Sequence, residues 1–353
     1  MLFRILNVPA LYCVFLFLIG CGSDASLSET ASDGEIPLVT VESTYSVWVD
    51  QDLTYADGLG HDNLSSVPFA IPQKLDVYYP NNNSTNRPVY MFIHGGGFTG
   101  GTKTKPEIVD MANFYASRGW VFVSIDYRTT EELGSIGDRV LEDLLEFYKG
   151  IAPQEWIENA YQGAETETQI QQGIAMYAAQ RDAKAALRWI VANSNSYNIN
   201  NNFITVGGAS AGAITTIALG VSNQEDFRDE IAMADDSTLS TTNLSENFDV
   251  KSMVYFWGSN IKMELFESVY GLYRYDTNDP ELFMAHGTND INPSTPYTEA
   301  TELESIFDSL DVFNELVTLD GKGHGAWTAT VNEQSLSEMT FNFIVDRQNL
   351  IAE

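Results

Sequence analysis

The sequence predicts an α/β fold: a mostly parallel central sheet with helices on both faces and a helical insertion in one connection. Three observations carry that prediction. Short apolar, β-branched runs recur along the chain between turn residues, the pattern of strands buried on both faces. Segments with helical spacing lie between most of these runs, and such alternation calls for parallel strands joined by crossover helices. The run Phe203 to Gly207 passes directly into Gly208-Ala-Ser-Ala-Gly212 and then into an apolar, small-residue helix, Ala211 to Leu219.

The expected strands, in order, are Leu75–Tyr79, Val89–Ile93, Trp120–Ile125, Phe203–Val206, Ser252–Phe256, Leu282–Ala285 and Glu315–Leu319. Pro106 to Ser117 is read as a helix opened by proline, which suits a first helical turn. Ala178–Ala192, Tyr297–Leu310 and Glu333–Phe343 each keep apolar residues on one face. One interval, residues 129 to 182, is oversized for a connection. Within it Val140, Leu141, Leu144, Leu145 and Tyr148 have the spacing of an amphipathic helix, and Trp156, Ile157, Tyr161, Ile170 and Met176 follow. This insertion, about 131–177, reads equally as surface helices packed on the domain edge or as a lid or pocket wall.

The chain has 353 residues, 44% of them hydrophobic, enough for one large domain or two smaller ones. Lys+Arg number 18 against 49 Asp+Glu, a net charge of −31. Such a surface repels nucleic acid and anionic headgroups. The acid is spread along the chain, as in a highly solvated surface.

Met1-Leu-Phe-Arg4 supplies a short positive region and Val8 to Ile19 is almost wholly apolar. That run is short for a membrane span and fits a secretory signal, residues 1–20. The ending Leu18-Ile-Gly-Cys21 resembles a bacterial lipobox. The resemblance implies that Cys21 is lipidated and becomes the first mature residue, which anchors the protein to a membrane of the cell envelope. Gly22 in place of aspartate favours the outer membrane; the alternative is an ordinary signal cut nearby. Residues 21–44, rich in Ser, Asp, Glu, Ala and Thr, are expected to form a flexible tether. Residues 45–353 are expected to form the folded domain. Cys13 and Cys21 are the only cysteines, so the mature chain has no disulfide, thiol metal site or cysteine nucleophile.

Gly-x-Ser-x-Gly between a strand and a helix is the layout of a nucleophile elbow, which lifts the serine hydroxyl to the tip of a strand. Ser210 needs a base within hydrogen-bond reach, and histidine titrates close to working pH. Four histidines are present. His61 lies before the first core strand. His94 and His286 each follow a strand and precede glycine, positions suited to bracing a loop. His324, in Gly321-Lys-Gly-His-Gly325 after the last strand, can be delivered over the end of the sheet and is the candidate base. Asp290, in Gly287-Thr-Asn-Asp290 after a strand, is the candidate orienting acid. Asp320, the rival, lies too near His324 in sequence to approach the far ring nitrogen. The chain order is then Ser210, Asp290, His324. His94-Gly-Gly-Gly-Phe98 offers backbone N–H groups to a substrate oxygen, and the N–H of Ala211 adds another at the helix start. No lysine-serine or lysine-threonine pair follows those glycines at phosphate-loop spacing. This chemistry calls for no metal or organic cofactor.

Together these motifs resemble the α/β-hydrolase superfamily, in particular carboxylesterases and lipases with a His-Gly-Gly-Gly oxyanion motif (the hormone-sensitive-lipase-like group and related bacterial esterases). The resemblance covers roughly residues 72 to 345 and includes Ser124-Ile-Asp-Tyr-Arg128, Asp182-Ala-Lys-Ala-Ala-Leu-Arg-Trp189 and His286-Gly-Thr-Asn-Asp290. It implies an α/β-hydrolase fold, a triad of Ser210, Asp290 and His324, and oxyanion donors at Gly96, Gly97 and Ala211. It implies hydrolysis of a small-molecule or polymer-borne ester through an acyl-serine. A polysaccharide acetyl or feruloyl esterase, a peptidase and a silent binding lipoprotein are the rivals. The family often places a cap between its sixth and seventh core strands. Here only the short Gly258–Asp279 is available, and the insertion after Arg128 is a candidate substitute. Phe98, Trp257 and Trp327 flank the motifs, as pocket lining or as packing.

Overall fold

A computed structural model describes residues 35–61, 67–134 and 140–353. The signal segment, Cys21 and the first part of the expected tether lie outside the described residues. In chain order the elements are β1 (Leu38–Val39), β2 (Val47–Gly60), β3 (Phe69–Pro80), β4 (Arg87–Ile93), α1 (Pro106–Ala116), β5 (Val121–Ile125), α2 (Thr130–Leu133), α3 (Leu141–Phe147), α4 (Gln154–Gly163), α5 (Glu167–Ala192) and α6 (Ser194–Tyr197). They continue with β6 (Ile199–Ala209), α7 (Ala211–Val221), β7 (Val250–Phe256), α8 (Ile261–Tyr270), β8 (Glu281–Gly287), α9 (Tyr297–Ser309), β9 (Asn314–Leu319), β10 (Thr330–Val331), β11 (Gln334–Ser335), α10 (Leu336–Arg347) and β12 (Ile351–Ala352). A short 3-10 turn, Ser237–Thr241, lies in the α7–β7 connection.

The main sheet has the order β2-β3-β5-β4-β6-β7-β8-β9. β3 is antiparallel to both β2 and β5; every other pair is parallel. All seven expected strands are in it. β4 and β5 are buried along their whole length, as their unbroken apolar runs require. One face packs against α1 and α10 through Ile108, Met111, Tyr115, Leu336, Phe341 and Ile344. The other packs against α5, α7, α8 and α9 through Ala183, Leu187, Ile217, Phe266 and Leu303. This is an α/β-hydrolase fold.

β2 is an additional strand. Its sequence, Val-Trp-Val-Asp-Gln-Asp-Leu-Thr-Tyr-Ala-Asp-Gly-Leu-Gly, lacks a continuous apolar run because it forms the sheet edge and half of it faces solvent. Register shifts at Asp50/Leu53 and Thr54/Ala56 and the carboxylates of Asp50, Asp52 and Asp57 blunt that edge against pairing with another chain.

The expected tether boundary at residue 44 is corrected. β1 pairs in parallel with β12 at the carboxyl end, and Val39 is fully buried. Thr40 N–H donates to Arg118 O at 2.9 Å and Val41 N–H to Glu353 O at 2.8 Å. The short apolar stretch Ile36 to Val41 finds its partners at Arg118 and at residues 351–353, far away in sequence, so local composition gives no sign of it.

The insertion after β5 contains α3, where the spacing placed a helix, and α4. It then merges into α5, which starts at Glu167 rather than near Ala178. Thr166 and Gln169 form a capping box that sets this start. Trp156 is fully buried, donates its Nε1–H to Gly173 O at 2.8 Å, and packs against Tyr177 and Phe227. Among the described residues no helix is long and apolar enough to cross a membrane.

Candidate active site

The parallel strands β4, β6 and β8 end on the same edge of the sheet, and the loops leaving that edge carry the candidate residues. β6 delivers Ser210 between itself and α7. The serine has φ 55° and ψ −120°, an uncommon conformation for a residue with a side chain. Its N–H donates to Phe256 O at 2.9 Å, which fixes the strained turn to β7. Gly208 and Gly212 are required by close approach. A Cβ on Gly208 would lie 2.3 Å from the carbonyl carbon of Gly212, and one on Gly212 2.0 Å from Ile93 O.

The loop after β9 brings His324 over the sheet edge. Its Nε2 lies 2.9 Å from Ser210 Oγ and its Nδ1 lies 2.8 Å from Asp290 Oδ2. Asp290, on the loop after β8, has a buried side chain, whereas that of His324 is 30% exposed. The geometry assigns the hydrogens: Nδ1–H donates to the carboxylate, and the unprotonated Nε2 accepts from the serine hydroxyl. Thus the three residues chosen from the sequence meet in one hydrogen-bonded line. Asp320 is exposed and accepts from Thr288 Oγ1 at 3.4 Å, away from the imidazole.

His286 is a partner that its sequence position marks only as a loop brace. Its Nε2 donates to Asp290 Oδ2 at 3.0 Å and to Thr295 O at 3.1 Å. Asn292 N–H donates to Asp290 Oδ1 at 3.0 Å. Burial pushes the His286 imidazole below the ordinary histidine range, and the hydrogen bond and charge of Asp290 oppose this only in part. The neutral ring therefore carries its proton on Nε2 and holds the carboxylate in place. A histidine protonates near 6.5 when unfolded and at lower pH here. Between those values the unfolded chain binds more protons, so stability rises with pH and is lost on acidification. Accordingly, His286→Asn is expected to flatten the fall in thermal midpoint below about pH 6.5, read by calorimetry across that limb. An unchanged slope would remove His286 from this role.

The glycine loop after β4 packs on the elbow so closely that a Cβ on Gly95 would sit 3.0 Å from Ser210 Cβ. Gly96 has φ 138°, a conformation open to glycine. His94 braces the loop, as the sequence suggests. It is buried, its Nδ1 lies 2.8 Å from Gly95 O, and it stacks on Tyr127, whose hydroxyl donates to His94 O at 2.9 Å. Ala211 opens α7, so its N–H has no acceptor within the helix.

Gln172, on the insertion half of α5, is not singled out by the sequence. Its Nε2 donates to Gly97 O at 2.8 Å. No local motif marks it, because the contact joins residues 75 positions apart. Gln172 also lines a groove of about 410 Å³ between α4, α5 and α8, together with Asn159, Gln169, Met176, Leu265 and Ser268; Ser294 completes the rim. The insertion thus forms one wall of this groove and, through Gln172, contacts the glycine loop that packs on Ser210. We expect Gln172→Ala to lower kcat on an activated ester about 10-fold with KM within about twofold, since the Gly97 carbonyl loses its anchor in the loop that packs on Ser210. Equal kcat values would show that the contact is dispensable.

Trp257 is buried and packs edge-on against Trp327 at 5.1 Å. Phe98 is also buried. Of the three flanking aromatics, these contacts place Trp257 and Trp327 in packing.

The sequence profile of BD-FAE matches residues 75–135 and 145–264, just over half of the chain. The chain belongs to the BD-FAE family. The matched BD-FAE segments include the glycine loop, Ser210 and the insertion wall, while Asp290 and His324 follow them. BD-FAE is a hydrolase family, and the chain is a carboxylesterase-type enzyme. Solved structures share the fold. Thermogutta terrifontis esterase 2 phosphorylated by paraoxon is 18% identical, with TM-score 0.54 over 84% of this chain and 94% of that one. A truncated carbohydrate esterase from gut microbiota is 17% identical, with TM-score 0.54 over 88% and 99%. The propionate-bound form of the Thermogutta esterase is 17% identical, with TM-score 0.52 over 78% and 90%. At these identities the likeness is one of fold.

Proposed function

We propose that the protein hydrolyses carboxylic esters through an acyl-serine intermediate on Ser210. The observation that carries this reading is His324 bridging Ser210 Oγ and Asp290 Oδ2 at 2.9 and 2.8 Å. Ser210 attacks the ester carbonyl as His324 Nε2 takes its proton, and Asp290 stabilises the imidazolium that forms. The N–H groups of Gly96, Gly97 and Ala211 donate to the oxyanion. The imidazolium then gives its proton to the departing alkoxide oxygen. Water, deprotonated by the same histidine, attacks the acyl carbonyl and frees the acid and Ser210.

Labelling by a fluorophosphonate probe tests the reading, because only an activated serine is phosphonylated. An unlabelled wild-type chain would contradict it and favour a silent binding protein.

A carbohydrate-borne ester is the substrate class that the groove favours. Asn159, Gln169, Gln172, Ser268 and Ser294 offer neutral hydrogen-bonding groups suited to hydroxylated ligands, and one structural neighbour is a carbohydrate esterase. A panel of p-nitrophenyl acyl esters, acetylated xylan, feruloyl esters and peptides separates this from a simple carboxylesterase or a peptidase. Preference for simple acyl esters over the polymers would overturn it.

We also propose attachment to the outer membrane through a lipidated Cys21, on the strength of the lipobox resemblance. Cys21→Ser is expected to abolish metabolic labelling with palmitate and to release the protein from the membrane fraction.

A further inference from the structure

Along α5, in a cavity that none of Ser210, Asp290 or His324 lines, the chain buries several cations. Arg128 forms an ion pair with Asp182 at 2.7 Å, and Arg181 pairs through Nη1 with Asp236 at 2.9 Å. Two further cations on the same helix, Lys184 and Arg188, are almost fully buried, and neither has a carboxylate within ion-pair distance among the described residues. Lys184 donates to the carbonyl oxygens of Asn223 and Asp226. Arg188 donates its Nε–H to Thr242 O at 2.7 Å.

These two differ in how they can relieve the cost of burial. An amine can release its proton, and burial brings Lys184 down to about 7. A guanidinium remains charged at neutral pH; even with burial and the neighbouring Arg228 and Arg181 acting against it, Arg188 falls only to about 10. Its charge stays in the interior, where an uncompensated ion is strongly destabilising. Arg188 Nη1 and Arg181 Nη2 are both buried without a protein acceptor. Both side chains line one small cavity with Arg128, Arg228, Asp57, Asp182, Asp236 and Thr242, so four guanidinium groups face three carboxylates there. About 10 Å³ of it is open to the centre of a water-sized sphere, room for a single small species.

We propose that this cavity is a binding site for a small monovalent anion of chloride size, held between Arg181 Nη2 and Arg188 Nη1. Unpaired N–H donors on two cations that line one cavity match such an ion. A larger oxyanion such as sulfate exceeds the space. The ion is a structural ligand: it neutralises Arg188 and ties α5 to the Asn223–Thr242 connection, whose Thr242 carbonyl Arg188 already holds.

A chain of charge −31 is stabilised by any salt through screening, so the test holds ionic strength constant. Thermal midpoints of the full chain are measured at pH 7.5 while sodium chloride replaces sodium gluconate. A saturable rise of about 3 °C is expected, with the concentration dependence of one site. Bromide reproduces it, and anomalous scattering from a bromide-soaked crystal places one ion at Arg188. Arg188→Met, which removes the cation, loses the chloride response and melts at or above the parent in gluconate. Superimposable chloride and gluconate curves for the parent overturn the proposal, and the cavity then holds water or nothing. A response retained in Arg188→Met overturns it as well. Should that variant fail to fold, the parent titration and the bromide position still decide.

Discussion

Ser210→Ala is expected to lower kcat for p-nitrophenyl acetate by about 10⁴- to 10⁶-fold while leaving the fold intact. On the proposed mechanism the loss is large because the covalent route disappears, and what survives comes from binding and the proposed oxyanion donors. The fold is expected to persist because the change removes one oxygen from a partly exposed site. Alanine accepts the same backbone angles, and the turn is held by Ser210 N–H on Phe256 O and by the packed glycines around it. Circular dichroism melting and steady-state turnover test both halves. Turnover within about tenfold of the parent would refute the acyl-serine mechanism.

Asp290→Asn is expected to lower kcat by about 10³- to 10⁴-fold, with a smaller effect on KM. Asp290 Oδ2 accepts from both His324 Nδ1 and His286 Nε2, and Oδ1 accepts from Asn292 N–H. An amide cannot satisfy this set. With its nitrogen toward the histidines it opposes two donors with a donor; turned round, it opposes the Asn292 N–H. In the first orientation the His324 ring loses the acceptor that keeps Nε2 free to take the serine proton, and in the second that acceptor is neutral and strained by the Asn292 clash. Because the pocket is buried, a modest loss of thermal stability accompanies the kinetic one. A kcat within tenfold of the parent would show that Asp290 does not orient the base.

Much of the site is legible in the amino-acid order alone. The elbow is a local event: a β-branched strand, a five-residue turn and a small-residue helix lie side by side in sequence. The candidate base is legible by scarcity, since four histidines leave few ways to place one after the last strand. The parallel strands show themselves because burial on both faces demands unbroken apolar runs, as in Val89–Ile93. The edge strand β2 does not, since solvent on one side permits Asp50, Asp52 and Asp57 within it. The β1–β12 pairing is hidden for a different reason: two strands of two residues each, more than 300 positions apart, carry no pattern of their own.

The sequence by itself determined the class of fold and marked the candidate nucleophile, acid and base, because each is flagged by a motif a few residues long. The tertiary structure decided what distant segments do to one another. Only there do His286 and His324 share one carboxylate oxygen, and only there does the insertion reach the glycine loop through Gln172 on Gly97. The same holds for Arg188, which reads as an ordinary helical arginine and proves to be buried without a carboxylate. Such features arise from contacts across many tens of residues, where side-chain identity is constrained by a partner that the local sequence does not name.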